Sequence, residues 1–494
     1  MTEQEFLAHH GLTRNPFADE DAQTDIVFKE HCIANSFHPA WSKVFGDPRE
    51  PSTAIVLGSK GSGKTAMRLQ LAGEYAKHNQ AHPDKRVFVV QYDDFNTYLG
   101  RIEHHMPSRY RGKPEKILQS IRLWDHMDAI LCEGVTSLID AIAPSQTTSR
   151  SDTIAASQLA ALDRGQRRDL MLLAACYDQS KTGTFRDRWK KVRHAVQYSN
   201  WSTWYEWLGG TVGTILTLGI LISLFQSESI AIQHVVWSSI ILLPLVWGPY
   251  LWRWARCGWR AWNIMRRVRV GRRDFFTLTQ TLMSIPMKEL AAQPLPTAPR
   301  TDDRYALIEK FQLILRTLGF HGLIVLIDRV DEPDLVNGLP DRMKQLVWPI
   351  LDNKLLKHPG LGLKLLLPSE LQYFLDREDR EFQERARLDK QNVIRSFDWT
   401  GEALYDLVEA RMKACSRDGQ TPRPADLLDK SISEQRLLAA MQSLRTPRSL
   451  FRFLYRLVAE HCKTYRSSDP CFQVSTATFE ATLAVFQSEV QRIG

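Results

Sequence analysis

Apolar residues fall along this chain in two rhythms. Four short unbroken runs, Ser52–Gly58 (STAIVLG), Arg86–Asp94 (RVFVVQYDD), Gly322–Asp328 (GLIVLID) and Gly362–Ser369 (GLKLLLPS), have strand length and end in turn residues or carboxylates. Continuous rather than alternating apolarity predicts strands covered on both faces. Between and after them the apolar positions recur with helical period. Such stretches are a short one at Trp41–Phe45, TAMRLQLAGEYAKH after the first strand, Glu115–Ile142, Thr153–Gln179, Tyr305–Leu318 and most of the chain beyond Asp398. Strands alternating with helices predict an α/β fold with a parallel sheet. No internal repeat is visible.

The middle of the chain breaks both rhythms. Trp207 to Ser227 is a run of 21 residues without charge, about 31 Å as a helix, against a hydrocarbon core of about 30 Å. A second run, Ser229 to Trp252, has only His234 as a titratable group. Trp201, Trp204, Tyr205 and Trp207 bracket one end and Trp247, Tyr250, Trp252 and Trp254 the returning end, the placing of an aromatic belt. The pattern predicts a two-helix transmembrane hairpin contacting the lipid bilayer through residues 207–252. A buried hairpin inside a large soluble core is the alternative. Gly209 and Gly213, with Gly210 and Thr214 beside them, permit close helix packing within the hairpin or between protomers.

Charge sharpens this reading. The net charge of +8 is concentrated in two collars: five basic residues and one acid from Arg186 to Arg193, and eight arginines and one acid from Arg253 to Asp274. Their combined +11 leaves the remainder slightly acidic. Both collars flank the apolar pair, and the connection holds Glu228 but no Lys or Arg. The positive-inside rule then places both termini in the cytoplasm, as a multi-pass protein of the inner membrane. Attraction to anionic headgroups explains the collars more simply than nucleic acid, which stays an alternative partner.

A chain of 494 residues, 44% hydrophobic and 24% charged, is long enough for several domains and is not a disordered one. The expected division is 1–185, the first half of an ATPase domain; 186–275, the hairpin with its basic flanks; 276–303, a linker carrying the proline-rich Ala291–Asp303; 304–398, the second half; and 399–494, a helical lid. Seven scattered cysteines without metal-like spacing predict free thiols in a reducing compartment. The first residues carry acids and no apolar run, so no secretory signal is expected.

The chemistry begins at GSKGSGKT. Gly58, Ser59, Lys60, Gly61, Ser62, Gly63, Lys64 and Thr65 match GxxxxGK[ST] between an expected strand and an expected helix. Glycines let backbone N–H groups turn inward around phosphates, and the helix adds its positive end. Lys64 reaches the β and γ phosphates, while the Thr65 hydroxyl ligates Mg²⁺. LIVLIDRVDE supplies the acidic strand such a loop needs. Asp328 stands at its tip as the Mg²⁺-side carboxylate, and Asp331 or Glu332 polarises the attacking water. The expected cofactors are ATP and Mg²⁺.

LIDRVDE resembles the hhhhDxhDE form of the Walker B motif in STAND and KAP-type P-loop NTPases, with Arg329 where AAA+ enzymes carry an acid. Membrane helices inserted between Walker A and Walker B are a feature of the KAP family. The resemblance implies an ASCE/AAA-like three-layer parallel sheet, interrupted by the hairpin and followed by the helical lid. LTRNPFADED resembles the adenine-side segment of AAA-like ATPases, which implies Pro16 and Phe17 near the base, a packing role being the alternative. KLLLPSE resembles the sensor 1 strand and implies Ser369 near the γ phosphate. RTPRSLFRFLYRL resembles the lid helix carrying the sensor 2 arginine and implies that role for Arg448.

The expected function is a membrane-anchored ATPase whose nucleotide state drives conformational or oligomeric signalling, with a homo-oligomer and an unidentified trigger or effector protein as partners. By resemblance, such proteins in bacteria are linked to stress or phage defence. The alternatives are a nucleotide-gated scaffold with negligible hydrolysis and a membrane-tethered, nucleic-acid-stimulated ATPase.

Overall fold

A computed structural model describes residues 1–32, 36–144, 154–179, 184–199, 205–226, 232–388, 392–417 and 421–493, without the side chains of 31–32, 220–221, 224–226, 232–245 and 490–493. The polar loop around 145–153, Trp201, Trp204, Ser227 and Glu228 lie outside the described residues. The chain forms two compact units. The first comprises Met1–Asp93 and Gly322–Gly494, the second Asp94–His321.

The first unit is built on a five-stranded sheet of β1 (Ala54–Gly58), β2 (Arg86–Tyr92), β3 (Phe320–Ile327), β4 (Leu361–Pro368) and β5 (Val393–Ile394). Their order is β2-β3-β4-β1-β5, and the pairings β3–β4, β4–β1 and β1–β5 are parallel. Every residue of β1 and β4 is buried, as continuous apolar runs require when both faces are covered. One face packs Val56, Ile324, Leu326 and Leu366 on Met67, Leu71 and Tyr75 of the Lys64–Ala81 helix. In the paired register, Ile327 of β3 lies opposite Leu365 of β4 and Gly58 of β1 opposite Pro368. The phosphate loop and the residues after β3 therefore leave the sheet at the same edge, where ligands of parallel sheets bind. An α/β fold with a parallel sheet agrees with the expectation from the sequence.

Helices Gly401–Ala414, Glu434–Leu444, Pro447–Thr464 and Thr476–Ile493 make a C-terminal lobe. The N-terminal segment completes its core: Phe6, Leu12 and Phe17 are buried among Leu404, Met412, Leu450 and Phe453.

The second unit is helical. Its core joins Leu123–Ile142, Arg164–Tyr177 and Asp302–Thr317 around a buried ionic group. Arg304 grips Asp128 through Nε and Nη2, each at 3.1 Å, and the Tyr177 hydroxyl donates to the same carboxylate at 2.8 Å. All three side chains are buried, and pairing of this kind is what makes a buried charge tolerable. Residues 95–177 thus pack in the helical unit, and the division of the chain falls at Asp93/Asp94 and His321/Gly322 instead of at 185/186 and 303/304. The segment 276–303 is no bare linker. It contains helices Phe275–Met283 and Met287–Ala291, with Leu278, Leu282 and Ile285 buried. Those apolar residues recur at helical spacing, which the nearby prolines obscure.

Two helices, Tyr205–Gln226 and Ile232–Arg267, occupy the stretch of the expected transmembrane hairpin. They approach where small residues allow it: a side chain on Gly210 would meet the Trp247 ring at 3.0 Å, and one on Gly213 would overlap Val246. The Trp247 indole donates to the Thr214 hydroxyl at 2.9 Å. Gly210 and Gly213 serve packing between these two helices, whereas Gly209 has no heavy atom within 4 Å of an added Cβ. Val212, Ile215, Leu216, Leu218 and Ile222 are exposed, each by at least half. Among the described residues, no helix is long and apolar enough to cross a membrane. The expected spans over 207–252 fall partly on residues and side chains outside that description.

The collars are only partly outward charge. Arg188 pairs with Asp178 and Asp140, Arg253 with Glu206, and Arg269 with Asp125. Arg273 donates to the carbonyls of Cys176 and Asp178. Lys190, Lys191, Arg256, Arg266, Arg267 and Arg272 remain exposed. The six cysteines other than Cys32 are free thiols.

Candidate functional site

The loop after β1 is shaped by glycine. Gly61 and Gly63 take φ of +87° and +95°, conformations that L side chains adopt only under strain. Gly63 caps the Lys64–Ala81 helix without a side-chain hydrogen bond, so the first N–H groups of that helix are left for a ligand. Lys64 curls back over its own loop, its Nζ donating to the carbonyls of Gly58 at 2.7 Å and Ser59 at 3.0 Å. Burial holds its pKa below the ordinary lysine value, opposed by the charges of Asp331, Asp328 and Glu370.

A cavity enclosing ≈ 1070 Å³, mouth included, opens beside this loop. Lys60, Gly61, Gly63, Lys64 and Thr65 line one side, and Asp328, Asp331 and Glu332 line another. Two sequence segments more than 260 residues apart are thus joined in one site.

Asp328 follows the last residue of β3 and is 1% exposed. Desolvation raises its pKa. Arg68, a hydrogen bond from Thr65, the Arg329 N–H and Lys64 oppose that rise. Its Oδ2 is buried with no hydrogen-bond partner. A cation with a water shell would satisfy that atom, and the Thr65 hydroxyl beside it is the second protein oxygen such an ion needs. The donor set therefore fits Mg²⁺, which takes few protein oxygens and keeps phosphate and water for the rest. No group of three or more His, Cys, Asp or Glu side chains that could hold a metal occurs among the described residues. Arg329 adopts φ +63° and ties its Nε to Glu332 at 2.9 Å. The Glu332 carboxylate is thereby engaged, whereas Asp331 acts electrostatically on Lys64.

The remaining expected residues divide. Arg448 lines the cavity, and its N–H meets the Gly61 carbonyl at 3.4 Å. Its Nε lies 3.8 Å from Glu20. Ser369 stands after β4 with its hydroxyl on Glu370 at 3.4 Å and does not line the cavity. Pro16 and Phe17 do not line it either. The Pro16 carbonyl accepts from Arg411 Nε at 2.8 Å, and Phe17 is a core residue of the helical lobe. Of the two roles open to Pro16 and Phe17, the structure favours packing, because the Phe17 ring is buried in the lobe core.

Several lining residues carry no sequence signal. His38 stacks on Phe397 with ring centroids 3.7 Å apart and meets Trp399 edge-on, all three in the cavity wall. His38 Nδ1 accepts from the Ala40 N–H at 3.0 Å, which puts the ring proton on Nε2, donated to the Asp398 carbonyl at 3.1 Å. Burial lowers its pKa to about 4. Asp25 and Arg411 form a buried ion pair in the same wall. Only the spacing of Arg68, one helical turn beyond Lys64, could have drawn notice. No protein family, no curated protein and no solved structure matches this chain.

Proposed function

We propose that the chain is a membrane-anchored P-loop ATPase that binds ATP with Mg²⁺ and uses it to drive conformational or oligomeric signalling. One observation carries the nucleotide reading: Lys64 and Thr65 share a cavity with Asp328 and Asp331. The strand order supports it too, since β4 separates the phosphate-loop strand from the Asp328 strand, the arrangement expected of an ASCE-type sheet. Backbone N–H groups of residues 61–65 would hold the phosphates, and Lys64 would leave its two carbonyls for them. Thr65 and Asp328 would hold Mg²⁺, which supplies charge neutralisation of the phosphates. With Glu332 tied to Arg329, Asp331 is the carboxylate free to orient water. Arg448, next to Gly61, would exchange Glu20 for the γ phosphate and carry that change into the Pro447–Thr464 helix.

The exposed apolar residues of the Tyr205–Gln226 helix support the membrane part, since uncovered surface of that extent marks a lipid or protein partner. Exposed basic residues at 190, 191, 256 and 266 would meet anionic headgroups.

Phosphate release tests the enzyme. Lys64→Ala, and Asp331→Asn with Glu332→Gln, should each abolish turnover. Turnover unchanged in both sinks the ATPase reading, and ATP binding without turnover in the native chain favours a nucleotide-gated scaffold. Fractionation tests the anchor: recovery in the soluble fraction without detergent removes it.

A further inference from the structure

We infer that Arg68 is a resident counter-charge for Asp328, a positioning residue that lets the cavity accept nucleotide before magnesium; this rests on the nucleotide reading above. Arg68 leaves the Lys64–Ala81 helix one turn beyond Lys64 and is 2% exposed. Its Nη1 pairs with Asp93 at the end of β2 and approaches the Gln91 amide oxygen at 3.4 Å. Its Nε lies 3.4 Å from Asp328 Oδ2.

The last pair has an unusual quality: it is an ion pair without a hydrogen bond. Arg68 Nε and Asp328 Oδ2 are both buried and both lack a hydrogen-bond partner. The guanidinium therefore cancels charge at Asp328 while leaving the carboxylate lone pairs available. Three other acids of the cavity have their own cations, Asp25 with Arg411, Glu20 with Arg452 and Glu332 with Arg329. Lys64 is turned onto the Gly58 and Ser59 carbonyls. Arg68 is the cation that the ion pairs place on Asp328.

The consequence is thermodynamic. Without magnesium, a bare Asp328 carboxylate would repel the phosphates of ATP; Arg68 removes that repulsion. With magnesium, the ion does the same work and Arg68 matters less. Removing Arg68 should therefore weaken magnesium-free binding more than magnesium-bound binding. A purely structural arginine would weaken both alike.

The test is ATP affinity by titration calorimetry, in EDTA and in excess MgCl₂, on the full chain in detergent. Arg68→Gln should raise the ratio of the two dissociation constants by about tenfold, within the usual range of coupling between sites. Arg68→Lys, which keeps the charge, should leave the ratio within about threefold of native. Asp328→Asn is isosteric and removes the negative charge beside the phosphates while Arg68 keeps its pair with Asp93, so magnesium-free binding should tighten by about tenfold. A parallel rise of both constants in Arg68→Gln, or magnesium-free binding unchanged or weaker in Asp328→Asn, overturns the assignment. Failure of the native chain to bind ATP in either buffer overturns the nucleotide reading itself.

Discussion

The Trp399 indole donates its Nε1–H to the Ser62 carbonyl at 2.8 Å, while its backbone N–H bonds the Arg445 carbonyl at 3.3 Å. One side chain thus fastens the phosphate loop to the start of the helical lobe. Trp399→Phe keeps the aromatic bulk against His38 but strands a buried carbonyl, at a cost of about 1–3 kcal/mol. The expected outcome is a lower unfolding midpoint and ATP binding weakened by a few-fold. Urea unfolding and a binding titration on the same preparation check both.

Gly61 is constrained twice. Its φ of +87° disfavours any side chain, and a Cβ there would stand 2.7 Å from Arg448 Cβ. Gly61→Ala adds backbone strain of about 1–3 kcal/mol and pushes the Pro447–Thr464 helix from the loop. ATP affinity should fall at least about tenfold for each 1.4 kcal/mol of this strain that binding must overcome. Gly73→Ala, at a helix position with no heavy atom within 4 Å of the added methyl, should leave affinity unchanged. Equal affinities for the two variants would show that the loop is free to rearrange.

Much of this site was readable because its parts are local. A strand, eight loop residues and a helix adjoin in the sequence, and glycine, lysine and threonine each have a stereochemical reason to be there. β1, β3 and β4 were visible because burial on both faces leaves unbroken apolar runs. β5 was not, since Val393 and Ile394 are too short a run to rise above their polar surroundings. His38, Trp399 and Asp25 were also hidden. Their neighbours are set by the packing of segments hundreds of residues apart, and no spacing encodes that. The 276–303 segment misled for a different reason: its prolines are local and conspicuous, whereas the burial of Leu278 and Leu282 depends on partners.

His38 makes acid sensitivity specific. Its folded pKa of about 4 lies below the ordinary histidine value of 6.5 because burial desolvates the charged ring, whose Nδ1 accepts from the Ala40 N–H. Between those two values the unfolded chain binds a proton that the folded chain does not. Stability is therefore full above about pH 6.5 and falls as the pH drops toward 4, by up to about 3 kcal/mol. In His38→Asn, whose amide oxygen can accept from Ala40, this component should vanish. Stability measured from pH 7 to pH 4 checks it: parallel curves for the native chain and the variant would mean that His38 protonates without penalty.

Lys364 poses the opposite case, a charge inside the sheet. It lies in β4, is 0% exposed, and its Nζ reaches only as far as the Phe45 carbonyl, at 3.4 Å. Burial lowers its pKa from 10.5 to about 8. At neutral pH the folded protein therefore carries a protonated amine with no acid paired to it among the described residues. The unfolded chain holds that proton more tightly between pH 8 and 10.5, so stability should rise with pH across that window, by up to about 3 kcal/mol. Below pH 8 both states are protonated and the penalty is constant. Lys364→Met keeps the length of the chain and removes the charge, as exchanges of buried charge for apolar volume often stabilise. The variant should be more stable at pH 7 by about 1–3 kcal/mol and should lack the rise between pH 8 and 10.5. A variant less stable than the native chain at pH 7 would mean that the bond to the Phe45 carbonyl outweighs the desolvation of the amine.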